Sequence, residues 1–228
     1  MSPEVPKERR AGFLARISAG ETIVLAVITL IALAGALLVG KGLYMKAKAE
    51  LSQVLLQRSF AAELSGQTGA KPWPWADFTT EAEITAPRLG ETAVVLAGAS
   101  GAALAFGPAH LSNTPQPGES GTAVIAAHRD THFRWLKDVK PGDLLVVIRK
   151  DGRRLAFRAG EGRVARWDRS GIDAQAPGRN LALATCWPFE ATTRGPMRYI
   201  VTAELISSED LSTAEAGEIR LLAEKNGS

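Results

Sequence analysis

Residues 144–158 read Leu144-Leu145-Val146-Val147-Ile148-Arg149-Lys150-Asp151-Gly152-Arg153-Arg154-Leu155-Ala156-Phe157-Arg158. Two short apolar runs flank Asp151-Gly152, a pair suited to a tight turn because such a turn needs positive φ at its centre. The stretch predicts a β-hairpin. The same pattern of short apolar runs between Gly, Pro and Asp turns extends in both directions, from residue 82 to about 206. Beside Leu144–Arg149 and 154–158, strands are expected at 82–87, 92–97, 122–127, 163–167, 181–185 and 198–205. Pro117-Gly118, Pro141-Gly142-Asp143 and Pro177-Gly178 mark turns between them. Strands this short predict a mainly β domain, one barrel or sandwich of about eight strands, with a short helix near 133–139.

Upstream the pattern changes. Residues 22–40 carry no charge and read Thr-Ile-Val-Leu-Ala-Val-Ile-Thr-Leu-Ile-Ala-Leu-Ala-Gly-Ala-Leu-Leu-Val-Gly. As a helix they cover about 28 Å, close to the hydrocarbon thickness of a bilayer. A cleaved signal peptide has a shorter apolar core and an early small-x-small site. Ala47-Lys48-Ala49 fits that site only well past the run, so an uncleaved anchor is the reading adopted. Lys7, Arg9, Arg10 and Arg16 precede the run, and Lys41, Lys46, Lys48 and Arg58 follow it. Charge asymmetry therefore leaves orientation open, and the short N-terminal tail favours N-in, C-out. Leu43, Ala47, Leu51, Val54, Leu55, Phe60, Ala61 and Leu64 have helical spacing and predict a stalk helix ending near Gly66. The following Trp73-Pro74-Trp75 stretch, with Pro72, forbids regular structure and reads as a strap on the domain surface. The expected divisions are a cytoplasmic tail at 1–21, a transmembrane anchor at 22–40, and a stalk helix with its Trp/Pro linker at 41–81. A β domain at 82–206 and a tail at 207–228, helical or frayed, complete them.

Composition narrows the chemistry. The 228-residue chain has 46% hydrophobic and 22% charged residues, an ordinary globular balance, and a net charge of +3, too mild to imply nucleic acid without a concentrated patch. Basic residues between Arg129 and Arg169 are interrupted by acidic ones, as on a solvated strand face. No phosphate-binding or dinucleotide fingerprint occurs. One cysteine excludes an intramolecular disulfide, and one cysteine with three histidines excludes a cysteine-built zinc site. Cys186 is then either a small buried hydrophobe or a reactive thiol.

Position bears on that choice. Cys186 closes the apolar run Leu181-Ala182-Leu183-Ala184-Thr185 and precedes Trp187-Pro188, where the proline must stop ladder pairing. A strand end holds its backbone fixed while the side chain reaches solvent. In an oxidising compartment an unpaired thiol is a liability unless buried or used. His128 closes a second apolar run, 122–127, and Arg198 opens the last strand, with Arg194 as a rival. His110, in a Gly/Pro-rich loop, and His132 lack that strand-end placement. Cysteine, histidine and arginine form a coherent set: a thiolate attacks a carbonyl, an imidazole protonates the leaving amine, and a guanidinium stabilises negative charge.

Leu183-Ala184-Thr185-Cys186, with an upstream histidine, a proline-containing loop and then an arginine on the next strand, resembles the Thr-Leu-x-Thr-Cys signature of the sortases. The signature's first threonine is Ala182 here, and the glycine that often precedes the histidine is Ala127. The single anchor, Ala127-His128-Arg129-Asp130-Thr131-His132-Phe133, and Cys186-Trp187-Pro188-Phe189 look most like the Gram-negative (class GN) sortases. The resemblance implies a closed β-barrel with Cys186 as nucleophile, His128 as acid and base, and Arg198 binding the substrate or its oxyanion. Thr185 would contact the peptide, and the loop from 167 to 180 would form a specificity wall. It implies an exported protein with a C-terminal sorting motif as substrate and an unidentified amine as acceptor. The domain would stand on the periplasmic side of the inner membrane. No cofactor is implied, and no acidic cluster matches the calcium site of some sortases, so no metal is expected. Two other readings remain at this point. An L,D-transpeptidase would show Ser-x-Gly-Cys-x-Arg, whereas Thr185-Cys186-Trp187-Pro188 lacks the glycine and the adjacent arginine. An anchored β-domain that only binds a partner would use Cys186 for packing.

Overall fold

The structure is a computed structural model that describes residues 19–206. The first eighteen residues and the C-terminal segment from 207, where a tail was expected, lie outside the described residues. The chain divides into two compact units between Glu50 and Leu51.

In the first unit lies most of one helix, α1 (Ala19–Leu64). It is exposed at every described position from Gly20 to Leu51, and among the described residues it is the one helix long and apolar enough to cross a membrane. No break separates the expected anchor from the expected stalk, because nothing between Gly42 and Leu64 opposes a helix. Within the second unit the end of α1 is part of the domain. Ser52, Leu56, Ser59, Phe60 and Glu63 form a buried stripe at helical spacing. Full burial of Leu56 and Phe60 contributes roughly 1.5–3 kcal/mol each. Polar atoms fix the register of this contact: Gln53 Nε2 donates to the Phe106 carbonyl at 2.8 Å and Ser59 Oγ to that of Ala70 at 2.7 Å. The Trp-Pro strap packs as expected through Trp73, which meets Phe78 and Phe106 edge-on, whereas Trp75 is 82% exposed.

The remainder is a closed barrel. Its strands are β1 (Thr80–Ala86), β2 (Glu91–Ala97), β3 (Ala109–His110), β4 (Gly121–Ala126), β5 (Leu144–Arg149), β6 (Arg154–Arg166), β7 (Arg179–Cys186) and β8 (Met197–Leu205). They close in the order β1-β2-β3-β4-β7-β8-β6-β5, with β2·β3 and β4·β7 parallel and the other pairs antiparallel. A closed sheet leaves no edge to pair with other chains. The β5–β6 hairpin stands where residues 144–158 predict it, with Gly152 at φ +81° as its left-handed residue. Two expectations change. The separate strands at 154–158 and 163–167 are one strand, β6, whose register shifts between Ala159 and Gly162. The bulge comes where Gly162 admits Tyr199: a Cβ there would lie 1.9 Å from the tyrosine oxygen. The count of eight is restored by β3, only two residues long, which puts His110 on a strand and not in a loop. The short helix expected at 133–139 is a 3-10 turn, Arg134–Asp138. The core holds Ile84, Ile125, Leu145, Phe157, Leu181, Leu183 and Val201 from the strands, and Phe133 and Leu136 from the turn after β4.

His110 is buried between two acceptors, with Glu81 Oε2 3.2 Å from Nδ1 and the Pro115 carbonyl 2.9 Å from Nε2. Burial alone would lower its pKa. The hydrogen bond to Glu81, the charges of Glu81 and Glu119, and the Pro115 carbonyl outweigh burial and hold the proton on above the usual histidine value. Stability from this imidazolium is full below the unfolded value of about 6.5 and is lost as pH rises through the raised folded one. Thermal unfolding should show H110Q furthest below the unmodified protein near pH 6, with the gap shrinking toward pH 9. A gap that does not vary with pH would mean a neutral ring.

Candidate active site

The parallel pairing of β4 with β7 runs from Gly121↔Arg179 to Ala126↔Ala184 and continues through the Ala127 N–H, which donates to the Ala184 carbonyl at 3.1 Å. The same register, carried two residues beyond Ala126, sets His128 level with Cys186. On the other side of β7 the antiparallel ladder pairs Cys186 directly with Arg198. Cysteine, histidine and arginine therefore come from three adjacent strand ends.

Alternation decides which way they face. Ala123, Ile125 and Ala127 of β4 and its extension, Leu181 and Leu183 of β7, and Val201 and Ala203 of β8 point into the core. His128, Cys186 and Arg198 share the opposite phase and belong to the outer face. Cys186 is partly exposed and His128 is exposed, so both are accessible to a ligand. Arg198 directs Nη1 to the carbonyls of Gly195 and Met197, both at 2.9 Å, which anchors its guanidinium beside the thiol strand. Arg194 is exposed on the β7–β8 loop and is not paired across from Cys186.

Thr185 is placed differently from the expected peptide contact. It follows Leu183 in phase, so it faces inward; it is 2% exposed and its hydroxyl donates to the Ala127 carbonyl at 2.8 Å. It braces the strand end that carries His128.

The structure also brings together residues that the strand-end criterion passed over. His132 returns to His128 through a turn closed by the Phe133 N–H on the His128 carbonyl at 3.0 Å. Burial, and then the nearby His128, hold the His132 pKa below the usual value. Arg129 is buried, and its Nη2 donates to the carbonyls of Ala191 and Thr193 in the β7–β8 loop. Neither residue sits in a periodic pattern, and no sequence signal marks their contacts. Next to Cys186, Trp187 stacks on Tyr199 and Phe189 meets both, lining with Pro188, Lys137 and Glu190 a cleft of about 390 Å³. Burial raises the Tyr199 pKa. A larger cleft of about 640 Å³, lined by Thr122, Asn180, Thr202, Ile172 and Asp173, lies under the β6–β7 loop at the other end of β7. That loop is tied down by the Thr122 N–H on the Ala174 carbonyl and the Trp167 N–H on that of Pro196. Among the described residues no group of histidine, cysteine and carboxylates is placed to hold a metal.

The fold recurs in known proteins. The sortase domain model matches residues 84–206. The chain is 28% identical over 121 residues to sortase D of Bacillus subtilis (strain 168), a match covering 53% of this chain and 61% of the relative. Sortase A from Corynebacterium diphtheriae superposes with a TM-score of 0.53 at 25% identity, over 58% of this chain and 63% of that one. Group B Streptococcus pilus island 1 sortase C2 superposes with a TM-score of 0.50 at 26% identity, over 55% and 73%. The matched part thus spans less than two thirds of the first two relatives.

The Thr185 brace can be measured. T185V keeps the shape and removes the donor, leaving the Ala127 carbonyl without it at a cost of roughly 1–3 kcal/mol. Chemical denaturation should show that loss, and a ΔΔG near zero would mean the hydroxyl holds nothing.

Proposed function

Since the chain belongs to the sortase family, we propose that it is a membrane-anchored cysteine transpeptidase that cleaves a C-terminal sorting motif of an exported protein and transfers the acyl part to an amine. The observation that carries this reading is the row His128, Cys186 and Arg198 on the outer face of three adjacent strand ends.

The Cys186 thiolate attacks a backbone carbonyl of the motif, forming a C–S bond and placing negative charge on the oxygen. A neighbouring cation favours the thiolate. Arg198 has its guanidinium fixed by the carbonyls of Gly195 and Met197 and offers its remaining N–H groups to the substrate or its oxyanion. As the C–N bond breaks, His128 passes a proton to the departing amine. The acyl group stays on Cys186 as a thioester. His128 then takes a proton from the incoming amine, whose attack forms the new amide and releases the thiolate. No cofactor enters these steps. Thr185, facing inward, acts by holding the histidine strand and touches no substrate.

The stretch 127–133 and Cys186-Trp187-Pro188-Phe189 support a place near the Gram-negative (class GN) branch. On that reading α1 anchors the protein in the inner membrane and the barrel works on the periplasmic side. The β6–β7 loop forms the specificity wall.

Trapping the acyl-enzyme and identifying the attached peptide by mass spectrometry tests the proposal and names the motif. C186A should form no adduct. H128A should slow acylation by about 10²–10⁴-fold and R198A by about 10²–10³-fold, the usual worth of a general acid and of one oxyanion donor. Near-normal turnover in R198A would remove the arginine from the mechanism. Rapid labelling of the native protein by a membrane-impermeant thiol reagent in intact spheroplasts should place Cys186 outside the inner membrane.

A further inference from the structure

We infer that Arg129 is a positioning residue: its guanidinium clamps the β7–β8 loop to the strand end that carries His128, and so sets how His128 stands against Cys186. The inference rests on the Cys186–His128 pairing proposed above and extends it to a residue outside the reacting set.

Arg129 immediately follows His128, yet the two face opposite ways. His128 and Asp130 are exposed, whereas Arg129 is only 8% exposed. Its Nη2 reaches across to two carbonyls of the β7–β8 loop, those of Ala191 and of Thr193, the latter at 2.7 Å. The same loop is held at its far end by Arg198, through Gly195 and Met197. Two guanidinium groups thus grip one loop, Arg198 from the strand opposite Cys186 and Arg129 from the strand end of His128. The other side-chain link from this side, Lys137 Nζ to Glu190 at 3.5 Å, joins two surface groups and holds little.

Charge makes a packing role a poor account of Arg129. No carboxylate pairs with it among the described residues, and its Nη1 is buried without a hydrogen-bond partner. An unpaired buried cation is costly, and an apolar residue of similar volume would pack there at less cost. What an apolar residue cannot supply is a charged donor to two loop carbonyls at once. The register of β4 on β7 brings the backbones of His128 and Cys186 level, and the clamp then couples the loop leaving Cys186 to the turn entered by His128.

The chain has one cysteine, so alkylation by iodoacetamide reports on Cys186 alone. Its rate is to be followed from pH 5 to 9 in the full-length protein in detergent, for the unmodified chain, H128N, R129M and R129K. The other charged or titratable side chains placed nearby, His132, Arg198, Lys137 and Glu190, are common to all four. H128N is expected to lower the rate at pH 7, by removing the imidazole set level with the thiol. R129M is expected to lower it in the same direction by about threefold or more, the size of coupling usual between residues that share a network. R129K, with one cation on a shorter arm, should recover part of the loss. If H128N moves the profile and R129M leaves it unchanged, the clamp is refuted and the Cys186–His128 pair stands. If H128N also leaves it unchanged, the pair fails and the clamp with it. A loss in R129M without any recovery in R129K indicates general loosening and overturns the inference. Should R129M not unfold cooperatively, R129Q, with one neutral donor at lesser reach, replaces it under the same criteria.

Discussion

The parallel pairing of β4 with β7 is the constraint on which the site depends. Parallel strands cannot be joined by a hairpin, so the long connection between β4 and β7 must hold β5 and β6 and return the chain to the far side of the barrel. Once Gly121 is set beside Arg179, every later pair follows in step, and the ends of both strands arrive together. A slip of one residue would turn the side chains of β7 inside out, putting Cys186 in the core and Thr185 on the surface. The apolar alternation Leu181, Leu183 against Ala123, Ile125 makes that slip expensive. Core packing thereby fixes the accessibility of the thiol.

Around that pairing the molecule spends polar bonds where backbone pairing stops. Thr185 caps the Ala127 carbonyl just beyond the end of β4. Arg198 and Arg129 hold the β7–β8 loop from its two sides. Gly162 opens room for Tyr199, and Tyr199 supports Trp187 just beyond the cysteine. Elsewhere the end of α1 supplies Leu56 and Phe60 to a second small core with Val94 and Leu96 of β2, so this stretch of the helix enters the packing of the domain.

Much of the fold was legible because burial writes itself as period-two runs. The hairpin at 144–158, the runs ending at Ala127 and Cys186, and the last strand all carry that signal. The two-residue β3 carries none, since two residues cannot display a period and its pairing is imposed by β2 and β4. The bulge of β6 hides a continuous strand because the extra residue shifts the phase of its alternation. Of the candidate site, Cys186, His128 and Arg198 were readable as strand ends. The inward turn of Thr185 was readable in principle from the same alternation, since it shares the phase of Leu183. Arg129 and His132 lie in a turn, where contact partners are distant in sequence and no repeat marks them.

By itself the sequence determined what local chemistry can express: an apolar helix of membrane length, strands ended by proline and glycine, a single thiol, and the sortase likeness of its surroundings. These follow from residue properties that act over a few positions. Only the tertiary structure decided that the end of α1 packs in the domain, that the Thr185 hydroxyl faces inward onto the Ala127 carbonyl, and that Arg129 reaches the loop beyond Cys186. Each of those depends on which residues far apart in the chain share a register, and that is settled by closing the barrel around one core.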